Sequence, residues 1–350
     1  MTGRAGREEG APRGLAGERA EKTVSLALQG GGAHGAFTWG VLDALIEDGR
    51  LAIEAVTGAS AGAINAVVMV EGWIEGGAAG ARAQLETFWH RVSRDGHLPP
   101  GPRDLLSGIL GFWDRHGFAD FWARSLSPYD ANPLNINPLR DVLADLIDFS
   151  TVRACRDVKI FVSATQVWTG KVAVFREREL TADHVMASAC LPTVFQAVEI
   201  DGEPYWDGGY MGNPALFPLF YETVCDDVLL VQINPVERRT TPRTAREIQN
   251  RLTEIVFNGN LLRELRAIEF VTRLIDDGKL SPDAYKRVLM HRIDGAGVLD
   301  DYEASSRHNT EWGFFLRLRD AGRATAQRWL EENYAALGTR ATLDLRAAVS

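Results

Sequence analysis

The chain has 350 residues, of which 45% are hydrophobic and 24% charged, so it holds enough apolar material for a sizeable core in one large domain or two smaller ones. Its formal net charge of −9 argues against non-specific nucleic-acid binding and against a general attraction to anionic lipid, but leaves apolar lipid contact open. Three isolated cysteines (Cys155, Cys190 and Cys225) indicate neither a disulfide framework nor a zinc site and fit a reducing, cytoplasmic compartment, with peripheral contact at a membrane left open.

Residues 1–22 are rich in Gly, Arg and Glu and lack the apolar core of a signal peptide, so a disordered tail is expected there. Val24, Leu26 and Leu28 lie in a run ending at Gln29, short enough for a buried strand. The stretch 23–42 carries no formal charge, but Gln29, His34 and the glycines at 30, 31, 32 and 35 oppose a membrane span. Phe37, Val41 and Leu45 have helical spacing, closed by Asp48-Gly49. A second strand is expected over 51–57, followed by the turn Gly58-Ala59-Ser60-Ala61-Gly62 and a nearly all-apolar, hence buried, helix over 61–70. This βαβα order is the pattern of a mostly parallel sheet with helices on both faces.

An amphipathic helix is expected over 79–92, with Leu85, Phe88, Trp89 and Val92 on one face. The region 105–126 gathers Phe112, Trp113, Phe118, Phe121 and Trp122 around glycines 108, 111 and 117. It reads either as a helical pair covering the core or as an apolar cap over an acyl pocket or a membrane-touching edge. A proline- and asparagine-rich connector follows over 128–138, then a helix over 139–147. Strands over 159–165 and 171–175 form a hairpin across Trp168-Thr169-Gly170, and 182–189 is a short helix stopped by Pro192. A second hairpin turns at Asp201-Gly202 and leads straight into Asp207-Gly208-Gly209. A buried strand over 228–233 ends at Asn234-Pro235. One long helix or two are expected over 245–275, a last strand over 287–293 and a helix over 310–337.

Two glycine-rich loops carry the chemistry. Gly30-x-Gly32-x-x-Gly35 matches a dinucleotide fingerprint, but the second strand ends without the acidic residue that would hold the ribose, because Glu54 lies too early in it. No Gly-Lys-Ser/Thr follows, so a Walker phosphate loop fails as well. In the second loop, the small residues around Ser60 permit a sharp strand-to-helix turn that pushes the hydroxyl out at a helix N-terminus, where positive dipole and unpaired N–H groups favour developing negative charge. Acyl transfer also needs a base and oxyanion donors, and the glycine loop after the neighbouring strand can face Ser60 with its N–H groups. Of the seven histidines, only His308, in the polar turn 305–309, is fairly placed for a base, since His291 sits inside an expected strand. Asp207 stands at a strand exit before two glycines, although Asp-Gly is also a common turn signal.

The ordered set Gly-Gly-Gly-x-x-Gly, Gly-x-Ser-x-Gly and a distant Asp-Gly-Gly resembles the patatin-like phospholipase family over about residues 23–235. Ser188-Ala189-Cys190-Leu191-Pro192, ahead of Phe195, is also similar to that family's pattern. The resemblance implies a Ser60–Asp207 dyad with no catalytic histidine, and oxyanion donors from Gly30, Gly31 and Gly32. It departs at His34, where the family usually has Arg or Lys; His34 is therefore a candidate modulator of the oxyanion site. The expectation is an α/β fold with a central, mostly parallel sheet sandwiched by helices. Its parts would be a tail over 1–22, a catalytic domain over 23–235 and a helical region over 236–350 packed on the core. The expected activity is serine-dependent hydrolysis of fatty-acyl esters of phospholipid or lysophospholipid through an acyl-enzyme, with no metal or cofactor. The alternatives are a general carboxylesterase or thioesterase, or a non-catalytic lipid-binding protein.

Overall fold

The computed structural model describes residues 14–95, 127–299, 302, 306–307 and 309–350. The aromatic region 105–126 and His308 therefore lie outside the described residues.

Strand β1 (Lys22–Leu28) leads through the first glycine loop into helix α1 (Gly35–Asp48), which ends on Gly49 with a left-handed φ of 71°. Strand β2 (Leu51–Ala59) runs into α2 (Ala61–Arg91) with Ser60 as the junction. The two helices expected over 61–70 and 79–92 are both present within this span and meet at a kink at Gly76 and Gly77, whose backbone is not helical, with φ of 60° at Gly77. Helix α3 (Pro138–Leu146) precedes the hairpin of β3 (Lys159–Gln166) and β4 (Val172–Arg176). Then come α4 (Ala182–Ser188), the hairpin of β5 (Val198–Ile200) and β6 (Glu203–Asp207), and β7 (Asp227–Gln232). Helix α5 (Ala245–Asp276), β8 (Leu289–Asp294) and α6 (Trp312–Asn333) complete the larger elements. The chain after residue 235 thus adds a strand to the sheet as well as helices around it.

The sheet order is β5-β6-β3-β2-β1-β7-β8, with β4 also pairing with β3. Strands β3, β2, β1, β7 and β8 are mutually parallel, and the hairpins make the antiparallel edge. Strand periodicity explains the two cores. Leu26, Leu28, Val56, Ile160, Val162, Leu229 and Val231 face one side and pack with α1, α2 and α6. Ala27, Ala55, Phe161, Val228 and Leu230 face the other and pack with Leu261, Leu265 and Ile268 of α5. Both faces being covered, the central strands are mainly apolar, with Ser25, Glu54, Thr57, Ser163 and Asp227 among a buried polar minority.

Of the tail expected to be disordered over 1–22, residues 14–22 are described, and they are ordered. Leu15 is 2% exposed and exchanges both backbone hydrogen bonds with Ile53 at the start of β2. An apolar side chain beside an unfilled edge position of the core outweighs the composition of its neighbours. Glu54, rejected as a ribose ligand, is buried and accepts the N–H groups of Val224 and Cys225 at 2.7 Å each, a structural use.

Candidate active site

Sheet register brings the expected site residues together. Ala59 pairs with Ser163 of β3, and the adjacent Ala164 pairs with Asp207 of β6, so the residue after β2 and the last residue of β6 sit at one end of the sheet. Leu28 pairs with Gly58, which sets the first glycine loop beside Ser60.

Ser60 has φ 51° and ψ −125°, a left-side backbone conformation that costs a β-carbon-bearing residue on the order of 1–3 kcal/mol. The surroundings impose it. A side chain at Gly58 would meet the Ala63 nitrogen at 2.6 Å, and one at Gly62 would collide with the Leu28 carbonyl. The Ser60 N–H donates to Ser188 Oγ at 2.8 Å, and its carbonyl accepts the first helical bond of α2 from Ile64 at 3.0 Å. Ser188 lies in the segment whose similarity to the family pattern was noted, but sequence reasoning assigned it no task.

Asp207 is completely buried. Its N–H donates to the Cys190 carbonyl at 2.8 Å, and its carbonyl accepts from Thr165 Oγ1 at 2.8 Å. Carboxylate Oδ1 accepts the Gly209 N–H at 2.7 Å, while Oδ2 makes no hydrogen bond of good geometry. Burial pushes the carboxyl up to about 7, against opposing pulls from the Gly209 N–H and the nearby Ser60 hydroxyl. Gly208 presses against the Ser163 carbonyl and Gly209 against Phe257, so neither tolerates a side chain. The Cys190 thiol beside it is pushed up to about 12 by burial and then by Asp207, which removes it as a nucleophile near neutral pH.

The glycine loop departs from expectation at one residue. The Gly30 N–H donates to Asn213 Oδ1 at 2.7 Å and so is not open to the cavity in this structure. Its lack of a side chain has another cause: a β-carbon there would lie 2.7 Å from Ser60 Cβ and from the Ala59 carbonyl. Gly31 and Gly32 line the cavity with Ser60, and no hydrogen bond among the described residues uses their N–H groups. The loop is held from behind. Gln29 Oε1 accepts the backbone N–H groups of Ile233 and Asn234 at 3.0 and 2.9 Å, and Asn234 Nδ2 donates to the Gly30 carbonyl at 2.6 Å. Asn213 and Asn234 were not recognised as supports; the visible signal was an Asn-Pro pair after each of the two strands that flank the site.

His34 does not face the cavity. It is buried, places Nε2 2.6 Å from Ser306 Oγ and packs against Tyr302 and Phe314. The short helical turn after Gly31 rotates its side chain toward the C-terminal segment. His291 is clasped between Asp227 Oδ1 at 2.9 Å and Thr342 Oγ1 at 3.0 Å. His184 bonds Thr181, and His90 stacks edge-on against Trp312. None of these four is among the residues lining the cavity.

Ser60 and Asp207 open into a single cavity of about 220 Å3. Its walls are chiefly apolar, with Ile64, Phe88, Trp89, Leu191, Phe257 and Phe315 prominent. The polar part comes from beyond the motif-bearing half: Asn250 and Thr253 of α5, then Arg307 and Thr310. Arg307 was passed over in the sequence because the polar turn around it was read for His308 alone. A serine hydroxyl on a strained turn, a buried carboxylate with one oxygen lacking a hydrogen bond, and N–H groups unengaged among the described residues have the chemistry that acyl transfer in an apolar pocket requires.

A family model described as patatin-like phospholipase matches residues 26–220. No curated protein matches the chain. Among solved structures, the chain is similar to VipD from Legionella pneumophila, at 15% identity and a TM-score of 0.41, with 92% of this chain and 70% of that one covered. It is also similar to a chain in the structure of full-length SpcU in complex with full-length ExoU, from the type III secretion system of Pseudomonas aeruginosa. There the identity is 14% and the TM-score 0.30, with 96% of this chain and 81% of that one covered.

Proposed function

We propose, for a chain that belongs to the patatin-like phospholipase family, that it hydrolyses fatty-acyl esters of phospholipid or lysophospholipid with Ser60 as nucleophile and Asp207 as base. The carrying observation is that a fully buried carboxyl, raised to about 7 and with Oδ2 unbonded, shares an apolar cavity with a serine held in a strained turn. A base serves best when its pKa lies near the working pH, because it is then ionised and still basic enough to take a proton.

The steps follow from the placement. Ser60 Oγ attacks the ester carbonyl as its proton passes to Asp207 Oδ2. The carbonyl oxygen becomes an oxyanion, facing Gly31 and Gly32 N–H groups at the positive end of α2. Collapse breaks the bond to the leaving alcohol, which takes the proton from Asp207 and departs, leaving acyl-Ser60. Water then gives a proton to Asp207 and attacks the acyl carbonyl. Ser60 recovers the proton as the fatty acid leaves. The apolar walls fit a hydrocarbon chain and keep the local dielectric low, which strengthens each of these electrostatic contacts.

An apolar stripe supports contact with aggregated substrate. Ile248, Leu252, Ile255 and Val256 are exposed on α5, the helix whose Asn250, Thr253 and Phe257 line the cavity. Their spacing puts them on one face, and with a net charge of −9 the attraction to a lipid surface would be apolar rather than electrostatic. Among the described residues no helix is long and apolar enough to cross a membrane. The test is a panel of phospholipids, lysophospholipids and short soluble esters, with fluorophosphonate labelling of wild type and Ser60→Ala. Labelling and fatty-acid release that both vanish in Ser60→Ala are expected. Release that survives the substitution assigns the chemistry elsewhere.

A further inference from the structure

One charged group in the cavity has no part in the steps above. Arg307 lines the same cavity as Ser60 and Asp207, and its side chain is 9% exposed. Among the described residues its Nε–H makes no hydrogen bond. Among the described residues its carboxylate partner is Glu254, at 3.7 Å, but Glu254 is already bound more closely by Arg238 and Arg251, each at 3.1 Å. Three guanidiniums thus share one buried carboxylate, and Arg307 is the most weakly served. A buried cation that shares its described carboxylate with two other guanidiniums and has an unused N–H is costly, and a bound anion would relieve that cost. Burial lowers the pKa of Arg307, against the opposing pull of Glu254 and with Arg238 adding to the shift. Its backbone is fixed against the oxyanion loop, since a β-carbon at Gly32 would come within 2.7 Å of the Arg307 carbonyl.

We propose that Arg307 is a specificity-determining residue that binds the phosphate of a phospholipid or lysophospholipid, leaving the ester at Ser60 and the acyl chain against the apolar walls. In a glycerophospholipid the phosphate lies a few bonds from the ester, so one pocket must hold both. The planar guanidinium presents Nε–H and Nη–H in the fork that fits two phosphate oxygens. Glu254 lies 3.7 Å from Nη2 of the guanidinium, and Asn250 and Thr253 complete the polar wall. The inference rests on the acyl-hydrolase reading for its substrate, but the anion site itself can be measured without turnover.

The binding experiment uses Ser60→Ala protein titrated with n-dodecylphosphocholine and with the neutral n-dodecyl maltoside, both below their micelle concentrations. The phosphocholine is expected to bind more tightly. Adding Arg307→Gln should weaken it roughly ten- to hundredfold, the range for hydrogen bonds to charged groups, with the maltoside within about threefold. Should Arg307→Gln fail to fold, Arg307→Lys keeps the charge but loses the fork, and should weaken the phosphocholine alone by about threefold to tenfold. Turnover gives the second readout: in otherwise wild-type protein, Arg307→Gln should lower kcat/KM on lysophosphatidylcholine and spare that on a monoacylglycerol. Arg307-dependent phosphocholine binding without ester hydrolysis by the wild type would sustain this inference and overturn the hydrolase reading. Equal affinity for both ligands in the Ser60→Ala protein, or an equal loss on both with Arg307→Gln, overturns the inference.

Discussion

The two ends of the chain build the same cavity by different means. The part before residue 236 supplies the proposed reacting atoms through backbone geometry: a left-sided φ at Ser60, glycines with no room for a side chain at 58, 62 and 208, and a strand exit at Asp207. The part after it supplies a wall through ordinary side chains on helices and a polar turn: Asn250, Thr253, Phe257, Arg307 and Phe315. Backbone constraints leave few permitted residue types and therefore a readable motif. A helix face accepts many side chains, so the wall that would choose the substrate leaves no such signature. The reaction and its selectivity should accordingly separate under mutation.

The largest effect is expected at Ser60. Ser60→Ala should reduce hydrolysis on the order of a thousandfold or more and abolish fluorophosphonate labelling, with thermal stability no lower, because alanine carries the same backbone strain. Near-wild-type turnover in the purified variant would place the chemistry outside the motif-bearing half.

Asp207→Asn comes next, with a loss of about a hundredfold or more in kcat, the worth of a positioned general base. In the wild type, activity should rise with pH through about 7 as the carboxyl ionises. Stability should run the other way. An unfolded carboxyl releases its proton near 3.8, whereas folded Asp207 holds it to about 7, so stability is fully present below 3.8 and falls as pH rises between those values. Asparagine never ionises. The variant should therefore be more stable than wild type at pH 8, by roughly 2–4 kcal/mol, and equal to it near pH 3.5. Half-buried Glu264, also raised to about 7 by desolvation, titrates in both proteins and cancels from the difference. Melting curves at the two pH values check this; a gap that does not depend on pH contradicts it.

A smaller, selective effect is expected in the C-terminal part. Leu252→Asp with Ile255→Asp should reduce action on phospholipid vesicles by about tenfold, through lost apolar burial at the lipid surface, and leave a short soluble ester within about twofold. A collapse on both substrates would erase the division between the two parts.

The smallest effect is expected at His34. Because His34 bonds Ser306 and lies outside the cavity lining, His34→Gln should keep turnover within about threefold, well short of the loss a general acid or base causes. Its basic limb in a pH–rate profile should superimpose on that of the wild type. A displaced basic limb would show that the histidine charge reaches the oxyanion after all.

The sequence alone was enough for elements whose cause is local. Apolar runs bounded by Gly and Asp marked β1, β2, β7 and β8, Asp48-Gly49 marked the end of α1, and Gly-Ala-Ser-Ala-Gly marked the turn at Ser60. Each depends on backbone freedom or on a short period of hydrophobicity, which neighbouring residues carry by themselves. What needed the tertiary structure depends on residues far apart in the chain. Leu15 is ordered because Ile53 offers it a partner, His34 turns toward Ser306, Asn213 occupies the Gly30 N–H, and Arg307 reaches a cavity whose floor is Ser60. Side-chain direction and hydrogen-bond competition are settled by what the fold brings within about 3 Å, and no local pattern encodes that neighbour.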